Sequence, residues 1–274
     1  MPAVATRIMV LAQDPRTTVE ALAGVVSTDQ SLTARLIRLS NSAEYAFGRR
    51  CASAKDAIQL LGFLQVRQIA VTTSLMGMFE GPRPDDLTFD SDLFWAHSLT
   101  VGVAAEAAAR LEGKVRPDDA FTAGILHDIG QLVLRRALPV EFRAAGTLAL
   151  ETGMPLHEAE LQTTGYTHQA VGKALARRWQ FPTHLARAIG SHHDEGLTPA
   201  ANGLAGIIAQ CDRLVLHQGI TCGYYGERDE ATPLPPDLQD LEERIGGMTA
   251  VMNRATWFME KTFGRSPTAT VRAC

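Results

Sequence analysis

Residues Phe121 to Gln131 read FTAGILHDIGQ, a run in which His127 and Asp128 stand side by side among apolar and small residues. Burying a carboxylate without a partner is costly, so the chain has to bring Asp128 a partner from elsewhere. The run is apolar almost all round, which predicts a central helix of a helical protein. At about 100° per residue, adjacent side chains on a helix point in different directions, so His127 and Asp128 cannot grip one ion from one side. They serve one ion across a bend of the site, or two ions side by side.

The partners are sought among the other histidines, of which the chain has 8 in all. His97 lies four residues after Leu93 and four before Val101, on the apolar face of its helix. His168 precedes Val171 by three and Leu175 by seven, and His192 and His193 follow Ile189 by three and four. Asp212 is four after Ile208 and three before Val215. A single histidine on an apolar face is ordinarily a core residue bonded to a carbonyl. Several helices that each aim an imidazole or carboxylate inward are another matter, because these groups are costly to bury unless they meet. A divalent metal satisfies them together, accepting neutral imidazole nitrogens and compensating carboxylate charge. His157 beside Glu158 and Glu160, His184 after a helix start and His217 near a loop read as solvated.

The rest of the chain is helical in pattern, and no window alternates with the period of a half-buried strand. TTVEALAGVV opens with a capping box from Thr17 to Glu20, and DQSLTARLIRLSNSA starts after Asp29 with Leu32, Leu36 and Leu39 on one stripe. SAKDAIQLLG uses Ser53 and Asp56 in the same way, and LQVRQIAVTTSLMGMF continues as a longer helix. EGPRPDDLTFD, residues 80–90, breaks the pattern and marks a boundary. Pro117, Pro155, Pro182 and Pro199 fall at or near later helix starts. A Pro- and Gly-containing loop then leads to a last helix from about Gln239 to Phe263 and a frayed tail. The expected organisation is all-α and two-part: a helical subdomain over 1–80 packed on a second over 90–220, followed by a loop and helix over 221–274.

Composition narrows the class. With 274 residues, 46% hydrophobic, the chain reads as an ordinary globular protein without a spanning segment or cleavable leader, hence with a cytoplasmic address. Cys51, Cys211, Cys222 and Cys274 form no C-x-x-C pair and read as idle thiols. A net charge of -4 argues against a dedicated nucleic-acid surface, and the cluster Arg35, Arg38, Arg49 and Arg50 reads as a wet face.

On the strength of DQSLTARLIRLSNSAEY, SAKDAIQLLG, FWAHS, LHDIG, YTHQAVGKALARRWQFP and AIGSHH, the sequence resembles the HDOD family over roughly residues 1–220. That family is a branch of the HD superfamily of helical, metal-dependent phosphohydrolases. The resemblance implies a bacterial signalling or regulatory module, often without demonstrated catalysis. The related HD-GYP phosphodiesterases carry metal ligands in the order His, His-Asp, His, His-His, Asp, which falls here on His97, His127, Asp128, His168, His192, His193 and Asp212. One or two divalent ions of iron, manganese or zinc would suit such a set. Three departures weaken the case for hydrolysis, the first being Asp194, which follows His192 and His193 where those enzymes have a glutamate. Gln131 stands where HD-GYP enzymes have a lysine after HDIG, and EGLTPAANGLAG replaces their Gly-Tyr-Pro loop. Two classes of function follow. The first is a regulatory module that binds a signalling protein or small effector, with any metal structural and the C-terminal helix free to dock on the core or on a second copy. The second is a phosphohydrolase acting on a nucleotide or phosphate ester, in which Lys173, Arg135 or Arg136 would have to replace the missing lysine. The reading leans away from an enzyme.

Overall fold

The computed structural model describes residues 3–11, 14, 16–42, 45, 50–79, 89–223 and 233–264. Every regular element among them is a helix. Contacts divide the described residues into two compact units, one of residues up to 79 together with 260–264, the other of 89–259. EGPRPDDLTFD lies outside the described residues except for Phe89 and Asp90, as do Arg49, Cys274, residues 224–232 of the late loop and the tail from 265. Among the described residues, no helix is long and apolar enough to cross a membrane. The described cysteines, Cys51, Cys211 and Cys222, are free thiols.

The first unit contains α1 (Ala3–Leu11), α2 (Val19–Val26), α3 (Gln30–Ser40) and α4 (Ala54–Phe79). Its caps follow the sequence with one shift of register. Thr18, not Thr17, caps α2, because its side chain reaches the Ala21 amide. Asp29 caps α3 through the Leu32 amide at 2.9 Å, and the Leu32, Leu36 and Leu39 stripe is buried. Ser53 and Asp56 form a reciprocal box, with Oγ of Ser53 accepting from the Asp56 amide and Oδ2 of Asp56 accepting from the Ser53 amide, both at 3.1 Å. Gly62, at φ 80° and ψ 164°, kinks α4, a conformation that a side chain would oppose.

The second unit begins with α5 (Ser91–Glu112), which Asp90 caps through the Asp92 and Leu93 amides. Then come α6 (Pro117–Leu126), α7 (Ile129–Ala137), α8 (Pro139–Thr152), α9 (Leu156–Thr164), α10 (His168–Arg178), α11 (Thr183–Ile189), α12 (Pro199–Asn202), α13 (Leu204–His217), α14 (Pro236–Arg244) and α15 (Met248–Phe263), whose last residues belong to the first unit. Pro117 and Pro199 open α6 and α12, while Pro155 and Pro182 immediately precede α9 and α11. The single last helix expected from about Gln239 is instead two, since Gly246 and Gly247 take φ 89° and 85° between α14 and α15. Glu106 of α5, fully buried, accepts from Arg110 at 2.6 Å and from Arg254 of α15 at 2.7 Å.

Two close approaches set the centre of this unit. α5 and α6 cross where Gly124 faces Gly102, so tightly that a methyl group on Gly124 would lie 2.5 Å from the Gly102 Cα. Gly130 of α7 meets the backbone of α10, and a methyl group there would collide with the His168 carbonyl. The continuous helix expected through His127 and Asp128 is broken: α6 ends at Leu126, α7 starts at Ile129, and Asp128 takes φ -96° and ψ 5° at the junction. Gly130→Ala should therefore lower stability by about 1–3 kcal/mol, because backbone rather than a yielding side chain opposes the methyl group. Gly24→Ala, in α2 with open space around it, should raise stability by about 0.5–1 kcal/mol. Urea denaturation of both variants checks the pair.

Candidate metal centre

The seven residues singled out by the sequence enter the second unit from five local settings. His97 and Asp212 sit within α5 and α13, where their apolar stripes turn them inward, and His168 opens α10 under the Thr167 cap. His127 and Asp128 occupy the turn between α6 and α7, and His192 and His193 the turn after α11. Six of the seven are buried and His193 is partly so.

They converge as two adjoining groups: His97, His127 and Asp212 in one, and Asp128, His168, His192 and His193 in the other. Within each group every residue offers a ligand atom within 4.8 Å of the others. The break in the helix explains how neighbours serve different groups. Asp128 spans them, with Oδ2 at 3.3 Å from the His127 Nε2 and Oδ1 at 3.2 Å from that of His168. Asp212 also spans, placing Oδ1 3.1 Å from the His97 Nε2 and Oδ2 3.7 Å from the His193 Nδ1.

The orientation of the rings is set from behind. His97 Nδ1 lies 2.8 Å from the Ile220 carbonyl, His127 Nδ1 2.6 Å from that of Gly124, and His192 Nδ1 2.9 Å from that of Ile189. His168 Nδ1 lies 2.7 Å from Glu160 Oε2, which also accepts from the His168 amide. Carbonyl oxygens only accept, so these three Nδ1 atoms carry hydrogen, and in a neutral ring Nε2 then presents a bare lone pair. Those Nε2 atoms face each other in pairs, His97 with His127 and His168 with His192, each at 3.2 Å. Two lone pairs at that distance repel unless a cation lies between them or a proton is shared. Nitrogens bound to one ion at about 2.0–2.1 Å are about 3.0–3.4 Å apart, so the observed spacing suits a metal. The Oδ1 of Asp128 and the Oδ2 of Asp212 are buried and make no hydrogen bond, which leaves each free to face a cation. The donor set of imidazole and carboxylate, braced behind by carbonyls and one further carboxylate, could hold a metal.

Protonation follows the same pairing. Burial disfavours the charged form of His127, His168, His192 and His193, but Asp128 and Asp212 outweigh it at His127, which is held well above the ordinary imidazole value. Glu160 and Asp128 do the same for His168, pushed up to about 10. His192 is lowered by burial and by His127 and His168, and His193 falls to about 2 through burial and its neighbour His192. Against burial, the imidazoles hold Asp128 and Asp212 well below the usual carboxylate range.

Two further residues of α9 belong to this site: His157, which the sequence pattern places in solvent, and Glu160, to which it assigns no role. Glu160 is fully buried behind His168, and the His157 ring stacks on His193 with centroids 4.6 Å apart and planes 17° from parallel. The signal was there for Glu160, four residues after Leu156 and beside the buried Ala159. The other two histidines differ from each other: His184 is exposed and lies 3.1 Å from Asp119, while His217 is half-buried. Gln131 is buried, with its amide against the Cys222 thiol and its Oε1 without a hydrogen bond.

A family model for the HDOD domain matches residues 1–195. The chain belongs to the HDOD domain family. Among solved structures, an HDOD domain protein of unknown function from Geobacter sulfurreducens is similar, with a TM-score of 0.70 and 26% identity over 100% of this chain and 90% of that one. A protein of Shewanella amazonensis described as a candidate phosphohydrolase reaches a TM-score of 0.67 at 22% identity, covering 96% of this chain and 91% of its own. A candidate signal transduction protein of Marinobacter aquaeolei reaches 0.71 at 21% identity, over 100% of this chain and 59% of its own. An uncharacterised protein of Treponema pallidum is 23% identical over 183 residues, 66% of this chain but 35% of that protein, so the HDOD chain spans about a third of its relative's length.

The opposed shifts give the metal-free HDOD chain a stability maximum near pH 6.5. Above it, His127 and His168 keep protons that the unfolded chain has released, so their contribution is full below 6.5 and is lost as pH rises towards about 10. Below it, the unfolded chain takes up protons that folded His192 and His193 refuse, so stability falls again with pH. Urea midpoints of chelator-treated protein at pH 5, 6.5 and 9 should trace this bell; a monotonic profile would contradict the pairing.

Proposed function

We propose that this chain is a regulatory HDOD module whose seven-residue centre holds two divalent cations, and that it acts by binding a signalling protein or a small effector. The observation that carries the reading is the pair of Nε2 contacts at 3.2 Å among rings whose Nδ1 atoms are already engaged. In the metal-free chain a proton fills each gap, supplied by His127 and by His168. A cation in the same place needs both rings neutral, so loading and deprotonation are one event. His97, His127 and Asp212 would hold one ion, His168, His192 and His193 the other, and Asp128 would touch both.

A staple fits the burial of this centre better than a reaction vessel does. The ligands come from α5, the α6–α7 turn, α10, the turn after α11 and α13. Joining five segments that all aim charge inward stabilises the packing that an effector or partner reads. Six of the seven ligands are buried, which leaves little access for a phosphate ester. Gln131 brings no positive charge to a phosphate oxygen, and its amide is already committed to Cys222. The Shewanella amazonensis and Marinobacter aquaeolei proteins, one described as a candidate phosphohydrolase and the other as a candidate signalling protein, support the two classes of reading without deciding between them.

One observation favours hydrolysis instead. Two donor groups joined by Asp128, with His193 22% exposed at the edge, resemble the arrangement in which paired ions activate water and clamp a phosphate. Elemental analysis, thermal melts and a phosphodiester assay, each on wild type and His127→Ala, separate the readings. The expected result is two ions per chain and a melting temperature that falls on the order of 10 °C on chelation or in the variant. No cyclic dinucleotide turnover is expected. Calorimetric titration of metal-free protein at pH 7 in buffers of different ionisation enthalpy should show about two protons released per chain. Turnover that needs metal and vanishes in His127→Ala would establish the enzyme.

A further inference from the structure

The seven ligands are not equally sheltered. The side chains of His97, His127, Asp128, His168, His192 and Asp212 are at most 3% exposed, whereas His193 is 22% exposed. Among these residues, traffic of ions or water therefore has its shortest way in past His193. The ring lying flat on His193 is that of His157, in the first turn of α9. Three residues on, and so on the same face of α9, Glu160 holds His168, a second ligand of the same group. α9 thus touches the Asp128, His168, His192 and His193 group twice: with a charge-assisted hydrogen bond where the group is buried and with a stacked ring where it opens. Contact between His157 and His193 is face to face at 4.6 Å, a geometry that fixes the plane of the ligand ring without using its nitrogens.

We propose that His157 is a positioning residue and gate for the second cation: by stacking on His193 it holds that ligand in place and closes the exposed edge through which the ion would exchange. The inference rests on the two-cation reading above. A gate of this kind works through ring area, so any flat aromatic ring should serve and the imidazole nitrogens are dispensable.

The test uses the full chain loaded with zinc, the release of which into an excess of a chromophoric chelator is followed in wild type, His157→Ala and His157→Phe. Two phases are expected, one for each group. In His157→Ala the faster phase should accelerate about three- to tenfold while the slower is unchanged, and His157→Phe should restore the wild-type rate. A second readout needs no metal. In metal-free protein, acylation of His193 by diethyl pyrocarbonate, mapped by mass spectrometry, should rise in His157→Ala and return to the wild-type level in His157→Phe. If all three proteins release two zinc ions identically, the gate is overturned and the two-cation centre stands. Acceleration of both phases alike, or failure of phenylalanine to restore the rate, also overturns it. A wild-type chain that retains no zinc overturns both readings, and in that event the acylation data still report whether His157 shields His193.

Discussion

The fold of the second unit depends on two buried carboxylates, Asp128 and Asp212, that have to find positive charge. Neither reaches solvent, and each leaves one oxygen without a hydrogen bond. Removing a carboxylate from water costs several kcal/mol even after relaxation, so segments carrying these residues cannot settle until imidazoles meet them. That requirement adds to close apolar packing in selecting the arrangement of α5, α10, α13 and the two turns, since a slide of any of these segments would part a carboxylate from its imidazoles. The glycines at 102, 124 and 130 allow the approach, because at each crossing a side chain would hold the backbones apart.

The same requirement decides what could be read from the sequence. Inward-facing positions follow from the 3.6-residue stripe, so His97, His168 and Asp212 were legible as buried groups, and the proline and Asp29 starts followed from local hydrogen-bonding chemistry. What was not legible depends on contacts distant in sequence. Nothing in FTAGILHDIGQ announces a break after Leu126, because every residue there tolerates a helix; the turn exists so that one carboxylate faces both groups. His157 reads as solvated because Glu158 and Glu160 flank it, and only the approach of His168 makes the burial of Glu160 tolerable. The cap falls on Thr18 although Thr17 beside it has the same hydroxyl, and the last helix divides because Gly246 and Gly247 take positive φ within an otherwise amphipathic run.

The pairing of rings also constrains chemistry in a way that the list of ligands does not. A set of seven donors is equally consistent with one ion and spare histidines, or with two ions. In the structure the donors divide at Asp128, one of whose oxygens faces His127 and the other His168. One side offers two imidazoles and a carboxylate, the other three imidazoles and the shared carboxylate. The nitrogen-richer side favours the later first-row ions over magnesium or calcium, which prefer all-oxygen surroundings.

Whether such a centre does chemistry or holds helices together is decided by its open edge rather than by its donors. Hydrolysis at paired ions needs room for a tetrahedral phosphorus and a fixed cation to balance its oxygens. Here the exposed edge is at His193, on which the His157 ring is stacked, and Gln131, directly after the HDIG segment, is a neutral amide beside the Cys222 thiol. Room for a phosphate beside His193 would require α9 to withdraw, and α9 carries the carboxylate that orients His168. Access and ligand geometry are thus tied to one helix, so a change that opened the site would loosen the ligand set it exposed.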